Sequence, residues 1–292
     1  MLLRYFITSL ALITLVGCKT SSSGSDDQAV DSGNTLADAA QATVDATSEQ
    51  NDSGILLIDS GGDVVDASVT RVLLTEDVAI TTSDNINVHG VLTRYDDVTE
   101  QAPAILLLHQ FRQDHTQWDN FKTALADEGY IVLAIDLRGH GKSDAYQGTN
   151  LNGILNDPNG APNDVRAALV FLAAQSYVDN SRLGVIGTSI GGNLAVASSI
   201  LELSKTSIAI SPRLPPTENL ADTSANNMKS VYYIAAENDS GGQAQDCQTM
   251  YERTEDPRAI HIYSDTADHG RALFESQSDM KNKIIMWMAE NL

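Results

Sequence analysis

Cysteine is nearly absent. Cys18 and Cys247 are the only two in 292 residues, which excludes a disulfide-stapled scaffold. Basic residues are also scarce: 18 Lys and Arg stand against 39 Asp and Glu, leaving a formal net charge of −21. Such a balance excludes nucleic acid and acidic polymers as partners, because phosphate binding runs on Lys and Arg. No apolar run is long enough to cross a bilayer; Tyr5 to Val16 supplies about twelve residues where roughly twenty are needed. No glycine-rich phosphate or dinucleotide loop is present, and no cluster of His, Cys and carboxylates shows metal-ligand spacing. No cofactor or metal is therefore expected. Asp157, Asn159, Asn163 and Asp164 read as an acidic turn and helix cap, with calcium the one ion chemistry they suggest.

What is present centres on Leu183 to Gly192, an apolar run entering Gly187-Thr188-Ser189-Ile190-Gly191. A strand turning sharply into a helix needs small residues beside the bend, and this one leaves Ser189 at its tip as a candidate nucleophile. A serine hydroxyl needs a base. Two of the six histidines follow it, His261 within an alternating strand pattern and His269 in a loop just beyond. The loop position suits a mobile imidazole that reaches Ser189, so His269 is the expected general base. An acid should hold that imidazole, and the buried-strand run Ser230 to Ala236 ends in Glu237-Asn238-Asp239. Asp239 is the expected acid, with Glu237 as its rival. Backbone N–H groups of Phe111, after the strand Ala104 to Leu108, and of Ile190, after the nucleophile, are the expected oxyanion hole. Gln110 is a further candidate there, through its side-chain amide. His109 reads as a strand-end residue that orders this loop.

The alternation of patterns predicts an α/β domain. Strands fall near 72–81, 86–94, 104–109, 130–136, 182–188, 206–211, 230–236 and 259–264. Helices fall near 116–128, 162–175, 190–203, 241–254 and 271–290. The first two strands form an antiparallel edge hairpin, and the rest form a parallel sheet. The eighteen residues from Pro212 to Lys229 are too few for a large lid domain. Arg213 in that stretch reads as solvated, or as a partner for a substrate carboxylate.

The segments Leu106 to Phe111, Gly129 to Ser143, the Ser189 elbow, Glu237-Asn238-Asp239 and Asp268-His269-Gly270 stand in the order that marks the α/β-hydrolase superfamily. The chain resembles its dienelactone-hydrolase-like and small serine esterase branches. That resemblance implies a mostly parallel sheet of about eight strands flanked by helices, and an acyl-enzyme mechanism through Ser189, Asp239 and His269. Arg138, His140 and Asp144 are then structural, in the turn after the fourth strand. One departure stands out: the superfamily places Gly after the histidine of the oxyanion loop, where this chain has Gln110. Gln resists positive φ, so that loop is expected to differ.

The N-terminus is of another kind. A short positive segment, the apolar stretch and Leu15-Val16-Gly17-Cys18 resemble a bacterial lipoprotein leader with its lipobox. That resemblance makes 1–17 a signal peptide and Cys18 the lipidated residue, a membrane anchor of several acyl chains. Lys19, by analogy with enterobacterial sorting, favours the outer membrane of the cell envelope. Cys247 would then be the only thiol, buried and inert. From Lys19 to Thr70 the chain is rich in Ser, Asp, Ala and Gly, with ten acidic residues and almost no aromatics. It cannot bury enough apolar surface to fold and reads as a tether spanning 18–70, apart from a strand-like island at Ile55 to Ile58. The catalytic domain is then 71–292, carrying −13 of the charge, and a monomer is expected.

The activity expected is hydrolysis of a small-molecule carboxylic ester. Thioesters, lactones and amides remain open because the same three residues serve all of them. A surface lipoprotein that kept the fold without catalysis is the alternative from another class. Dehalogenase and epoxide hydrolase chemistry fit less well, since those relatives use a carboxylate nucleophile where this chain has Ser189.

Overall fold

The computed structural model describes residues 71–98 and 100–292, together with the backbone of two short strands, β1 (Ile55–Ile58) and β2 (Val64–Ala67). The strand-like island is thus half of an antiparallel hairpin, Ile55 opposite Ala67. The leader, Cys18 and the rest of the acidic stretch lie outside the described residues.

The main sheet has eight strands: β3 (Leu73–Thr81), β4 (Asn87–Tyr95), β5 (Ala102–Leu108), β6 (Ile131–Ile135), β7 (Val178–Thr188), β8 (Thr206–Ile210), β9 (Met228–Ala236) and β10 (Thr254–Tyr263). Their spatial order is β10-β9-β8-β7-β5-β6-β4-β3. The β3–β4 and β4–β6 pairs are antiparallel and all others parallel. This is the α/β-hydrolase fold, with the antiparallel hairpin at one edge as the sequence pattern requires.

Apolar residues on both sides of each central strand explain why the sheet is covered twice. On β5, Leu106 and Leu108 face a core shared with α2 (Ala161–Ala173) and α3 (Ile190–Ile200), where Val165, Leu169, Leu172 and Leu194 are buried. Ile105 and Leu107 face the other layer, built from α1 (Asp119–Asp127), α6 (Arg271–Ser276) and α7 (Met280–Asn291). There Phe121, Leu125, Phe274, Ile284 and Trp287 pack on the sheet. Full burial of each such side chain contributes about 1.5–3 kcal/mol, which makes this two-sided core the main stabilising term. Two further helices are α4 (Leu214–Ala221) and α5 (Gln243–Glu252).

Several elements depart from the sequence pattern: β7 begins at Val178 and β10 at Thr254, four and five residues before their expected starts, and a 3₁₀ turn spans Leu151–Leu155. The helix expected over 271–290 is broken at Gln277, whose ψ of 102° is extended, so α6 and α7 are separate. The helix expected from 116 begins as a 3₁₀ turn, His115–Trp118, before α1. The interval between β8 and β9, too short for a lid domain, holds α4, which starts on Pro215 and Pro216. Proline suits the first helical turn because its missing N–H would be unpaired there.

Candidate active site

Strand β7 ends at Thr188 and α3 starts at Ile190, so Ser189 alone makes the turn. Its φ of 54° and ψ of −115° are values a non-glycine residue rarely adopts. The neighbours make that possible. A Cβ on Gly187 would fall inside the Gly191 carbonyl, and one on Gly191 inside the Leu108 carbonyl. The backbones of β7, α3 and β5 therefore approach more closely than any side chain permits. Ser189 is half-exposed at the carboxyl end of the parallel strands, where open α/β sheets place their ligands.

Two later loops meet it there. His269, between β10 and α6, places Nε2 2.8 Å from Ser189 Oγ. Its Nδ1 stands 2.6 Å from Asp239 Oδ2, and Asp239 lies in the turn after β9, 8% exposed. Glu237, the rival acid, points outward; its backbone N–H donates to the Tyr263 carbonyl. His261 lies within β10, as its alternating pattern requires. The loop carrying His269 is held by Ser211, whose Oγ accepts from the Gly270 N–H at 2.9 Å.

The loop after β5 approaches from the other side. His109 is fully buried, with Nδ1 2.8 Å from the Gln110 carbonyl and Nε2 accepting from the Leu137 N–H at 2.9 Å. Those partners fix the neutral ring with its proton on Nδ1, and burial pushes its pKa down to about 4. It orders the loop. Ile190, first residue of α3, has an N–H without an intrahelical acceptor, as at every helix start. Phe111 stacks edge-on against His140, at 5.5 Å between ring centroids. At Gln110, where the loop was expected to differ because Gln resists positive φ, the backbone avoids the left-handed region. The left-handed residue is Arg112, at φ 64°. Gln110 Oε1 accepts from the Arg271 N–H at 2.7 Å, so the carbonyl end of the amide is tied to α6.

Gln117 escapes sequence reasoning. It is buried; its Oε1 accepts from the Gln110 N–H at 3.0 Å and its Nε2 donates to Thr188 Oγ1 at 2.8 Å. One side chain thus joins the loop after β5 to the residue before Ser189. Gln113 adds a 2.8 Å bond from Arg271 Nη1. Gln243, at the start of α5, places Nε2 3.3 Å from His269 Nδ1. No spacing rule marks these residues, because Gln117 reaches Thr188 across 71 positions, Gln113 reaches Arg271 across 158 and Gln243 stands by His269 across 26.

The remaining expectations sort by partner. Arg138 bonds Asp164 through Nε and Asp84 through Nη1, and Asp144 Oδ2 accepts from the Asn87 N–H, so both are structural. His140 is buried with Nδ1 near the Arg138 carbonyl. Asp157 accepts from Tyr146 Oη and the Asn159 N–H. With Asp164 held by Arg138, the acidic turn is closed by its own bonds. Arg213 pairs with Asp246 at 2.5 Å, and Cys247 is buried with its thiol pushed well above the ordinary value by burial. No metal-ligand spacing is visible in the sequence, yet among the described residues His89, His115 and Asp136 come together from three segments. No helix of the described residues is long and apolar enough to cross a membrane.

A model of the dienelactone hydrolase family matches residues 88–285. Among solved structures, an esterase of Pyrococcus furiosus superposes with a TM-score of 0.60 at 21% identity, over 75% of this chain and 91% of that one. An acetyl xylan esterase of a Paenibacillus species superposes at 0.63 and 19% identity, over 78% and 87%. Epoxide hydrolase B of Mycobacterium tuberculosis is 40% identical over 60 residues, 20% of this chain and 16% of that protein. A 2-hydroxy-6-oxononadienedioate/2-hydroxy-6-oxononatrienedioate hydrolase of Burkholderia vietnamiensis is 32% identical over 106 residues, 35% and 33%. The chain thus spans a third or less of the length of these two curated relatives.

Proposed function

The chain belongs to the dienelactone hydrolase family, and from that premise we propose that it is a serine hydrolase of carboxylic esters acting through Ser189, His269 and Asp239. One observation carries the reading: Oγ of Ser189, the imidazole of His269 and the carboxylate of Asp239 form a continuous hydrogen-bonded line, with spans of 2.8 and 2.6 Å. His269 Nε2 takes the hydroxyl proton as Oγ attacks the ester carbonyl. Asp239 accepts from Nδ1, fixes that tautomer and stabilises the imidazolium. The N–H groups of Ile190 and Phe111 receive the developing oxyanion. The imidazolium then protonates the departing alcohol, and water repeats the sequence to release the acid.

The half-exposed Ser189 and the absence of any large insertion between β8 and β9 favour small esters that approach from solvent. Epoxide opening through a carboxylate lacks its nucleophile here, since the elbow carries Ser189. The esterase names among the structural relatives agree with this reading, at identities that by themselves speak only for the fold. The leader-like N-terminus adds a location: lipidated at Cys18, the enzyme is held at the cell envelope.

The test is hydrolysis of p-nitrophenyl acetate and butyrate by the wild type and Ser189→Ala. Loss of at least about 10³-fold in kcat, with unchanged circular dichroism, is expected. Wild-type turnover in the variant would remove Ser189 from the mechanism. A folded wild type that a fluorophosphonate probe leaves unlabelled, and that hydrolyses neither ester, would mark a non-catalytic binder.

A further inference from the structure

A second cluster lies apart from the residues assigned to hydrolysis, at the end of β6. Asp136, fully buried, takes His89 Nδ1 on Oδ2 at 2.9 Å and His115 Nδ1 on Oδ1 at 2.8 Å. Two backbone N–H groups also reach it, from Lys142 at 2.9 Å and His115 at 2.7 Å. His89 comes from β4, His115 from the 3₁₀ turn before α1, and both imidazoles are largely covered, at 12% and 14% exposure. The other ring nitrogen of His89 is occupied too: Nε2 stands 2.6 Å from Asp77 Oδ1 on β3. Lys142 Nζ meets that same Asp77 oxygen at 3.0 Å, on the outer side of the cluster.

A neutral imidazole carries one ring proton and cannot donate to two carboxylates. If Nε2–H serves Asp77, the Nδ1 lone pair of His89 faces an anionic oxygen at 2.9 Å. A positive species must lie between them, either a second proton or a metal ion. Several features favour the ion. Two imidazole nitrogens and a carboxylate, with atoms all within 4.8 Å, are a donor set for a first-row divalent metal. A histidine that ligates through one nitrogen while the other donates to a carboxylate is the usual supported form of a metal ligand, and Asp77 supplies that carboxylate. In a tetrahedral zinc site, ligand atoms stand about 3.4 Å apart, so seating an ion opens the two short contacts by about half an ångström.

We propose that His89 Nδ1, His115 Nδ1 and Asp136 bind a divalent transition metal, zinc first among those to try, with water completing its coordination. Binding releases to solvent the ring protons that otherwise fill these contacts. His115 then turns its remaining proton to Nε2. Because His115 lies five residues after Gln110, the ion also pins the loop that carries Phe111.

The full chain, stripped with a chelator, is titrated with Zn²⁺ by calorimetry, and Co²⁺ serves as a visible-absorption probe. One ion per chain is expected, with a cobalt d–d band and a Tm rise of about 5 °C at saturation. His89→Gln and His115→Gln should each weaken binding by at least about 30-fold. Asp77→Asn, at an exposed position that leaves the three ligands intact, should weaken it about tenfold and keeps the test available if either histidine variant fails to fold. No binding by the folded wild type, or equal binding by the folded variants, overturns the proposal and leaves a doubly protonated His89 between its two carboxylates.

Discussion

Gln117 is neither nucleophile, base nor acid, yet among the described residues its side chain bonds both the loop after β5 and the residue before Ser189. Replacing it with leucine leaves the Gln110 N–H and the Thr188 hydroxyl without their partner, at about 1–3 kcal/mol for each buried group. The larger consequence is geometric, because oxyanion donors act only when held in place. Gln117→Leu should lower kcat for p-nitrophenyl acetate about tenfold or more with KM little changed; an equal rise in KM at constant kcat would place Gln117 in substrate binding instead. His109 gives the second residue-scale expectation. Its folded pKa, about 4, lies below the ordinary 6.5, so between those values the unfolded chain binds more protons. The sign follows: stability from this group is complete above pH 6.5 and is lost as pH falls toward 4, by about 3 kcal/mol in total. His140, pushed down by burial as well, adds in the same direction. Chemical denaturation from pH 7 to pH 4 should show this slope, and a folded His109→Gln variant should lack about one proton of it. An unchanged slope would sink the assignment to His109.

At the scale of elements, the turn from β7 to α3 depends on two absent side chains. Gly187→Ala forces a methyl group into the Gly191 carbonyl, and both are backbone in close-packed structure that has no room to shift. A loss of about 3 kcal/mol or more is expected, read as a fall in the denaturation midpoint together with loss of activity. This element was legible in the sequence for the same reason that it is fragile: only Gly-x-Ser-x-Gly between an apolar strand and an Ala-rich helix permits it. Most of the parallel sheet was legible too, since β5, β6, β8, β9 and the second half of β7 are largely buried and mostly apolar; the polar start of β7, Asp179 to Arg182, and the exposed start of β10 were not. Asp239 and His269 could be picked out because strand ends are local features. The break at Gln277 was not legible. Neither Gly nor Pro marks it, and the stretch from Arg271 to Asn291 keeps an apolar pattern on both sides. The glutamines around Ser189 and the His89–His115–Asp136 cluster were hidden for a different reason. Gln117 reaches Thr188 across 71 positions and Gln113 reaches Arg271 across 158, while Asp136 meets His115 and His89 across 21 and 47, and spacing carries no signal when the fold alone makes the neighbours.

For the whole molecule the governing quantity is charge. The net −21 is spread over both the catalytic region and the acidic N-terminal stretch, so the protein is repelled by anionic surfaces rather than drawn to them. Electrostatics therefore cannot hold this protein at an anionic membrane surface, so the proposed envelope location rests on covalent lipid. A single acyl chain gives only marginal binding, whereas several together anchor firmly. The proposal for Cys18 stands or falls on that difference. In a Gram-negative host, Cys18→Ser should move the protein from the membrane pellet to the soluble fraction or leave an unprocessed precursor, with p-nitrophenyl acetate hydrolysis per folded molecule unchanged. Incorporation of labelled palmitate should be lost in the same variant. Wild-type protein that is soluble and unlabelled would show instead that the leader resembles a lipobox without serving as one. The triad assignment would be untouched by that outcome, because Ser189, His269 and Asp239 meet within residues 71–292 alone.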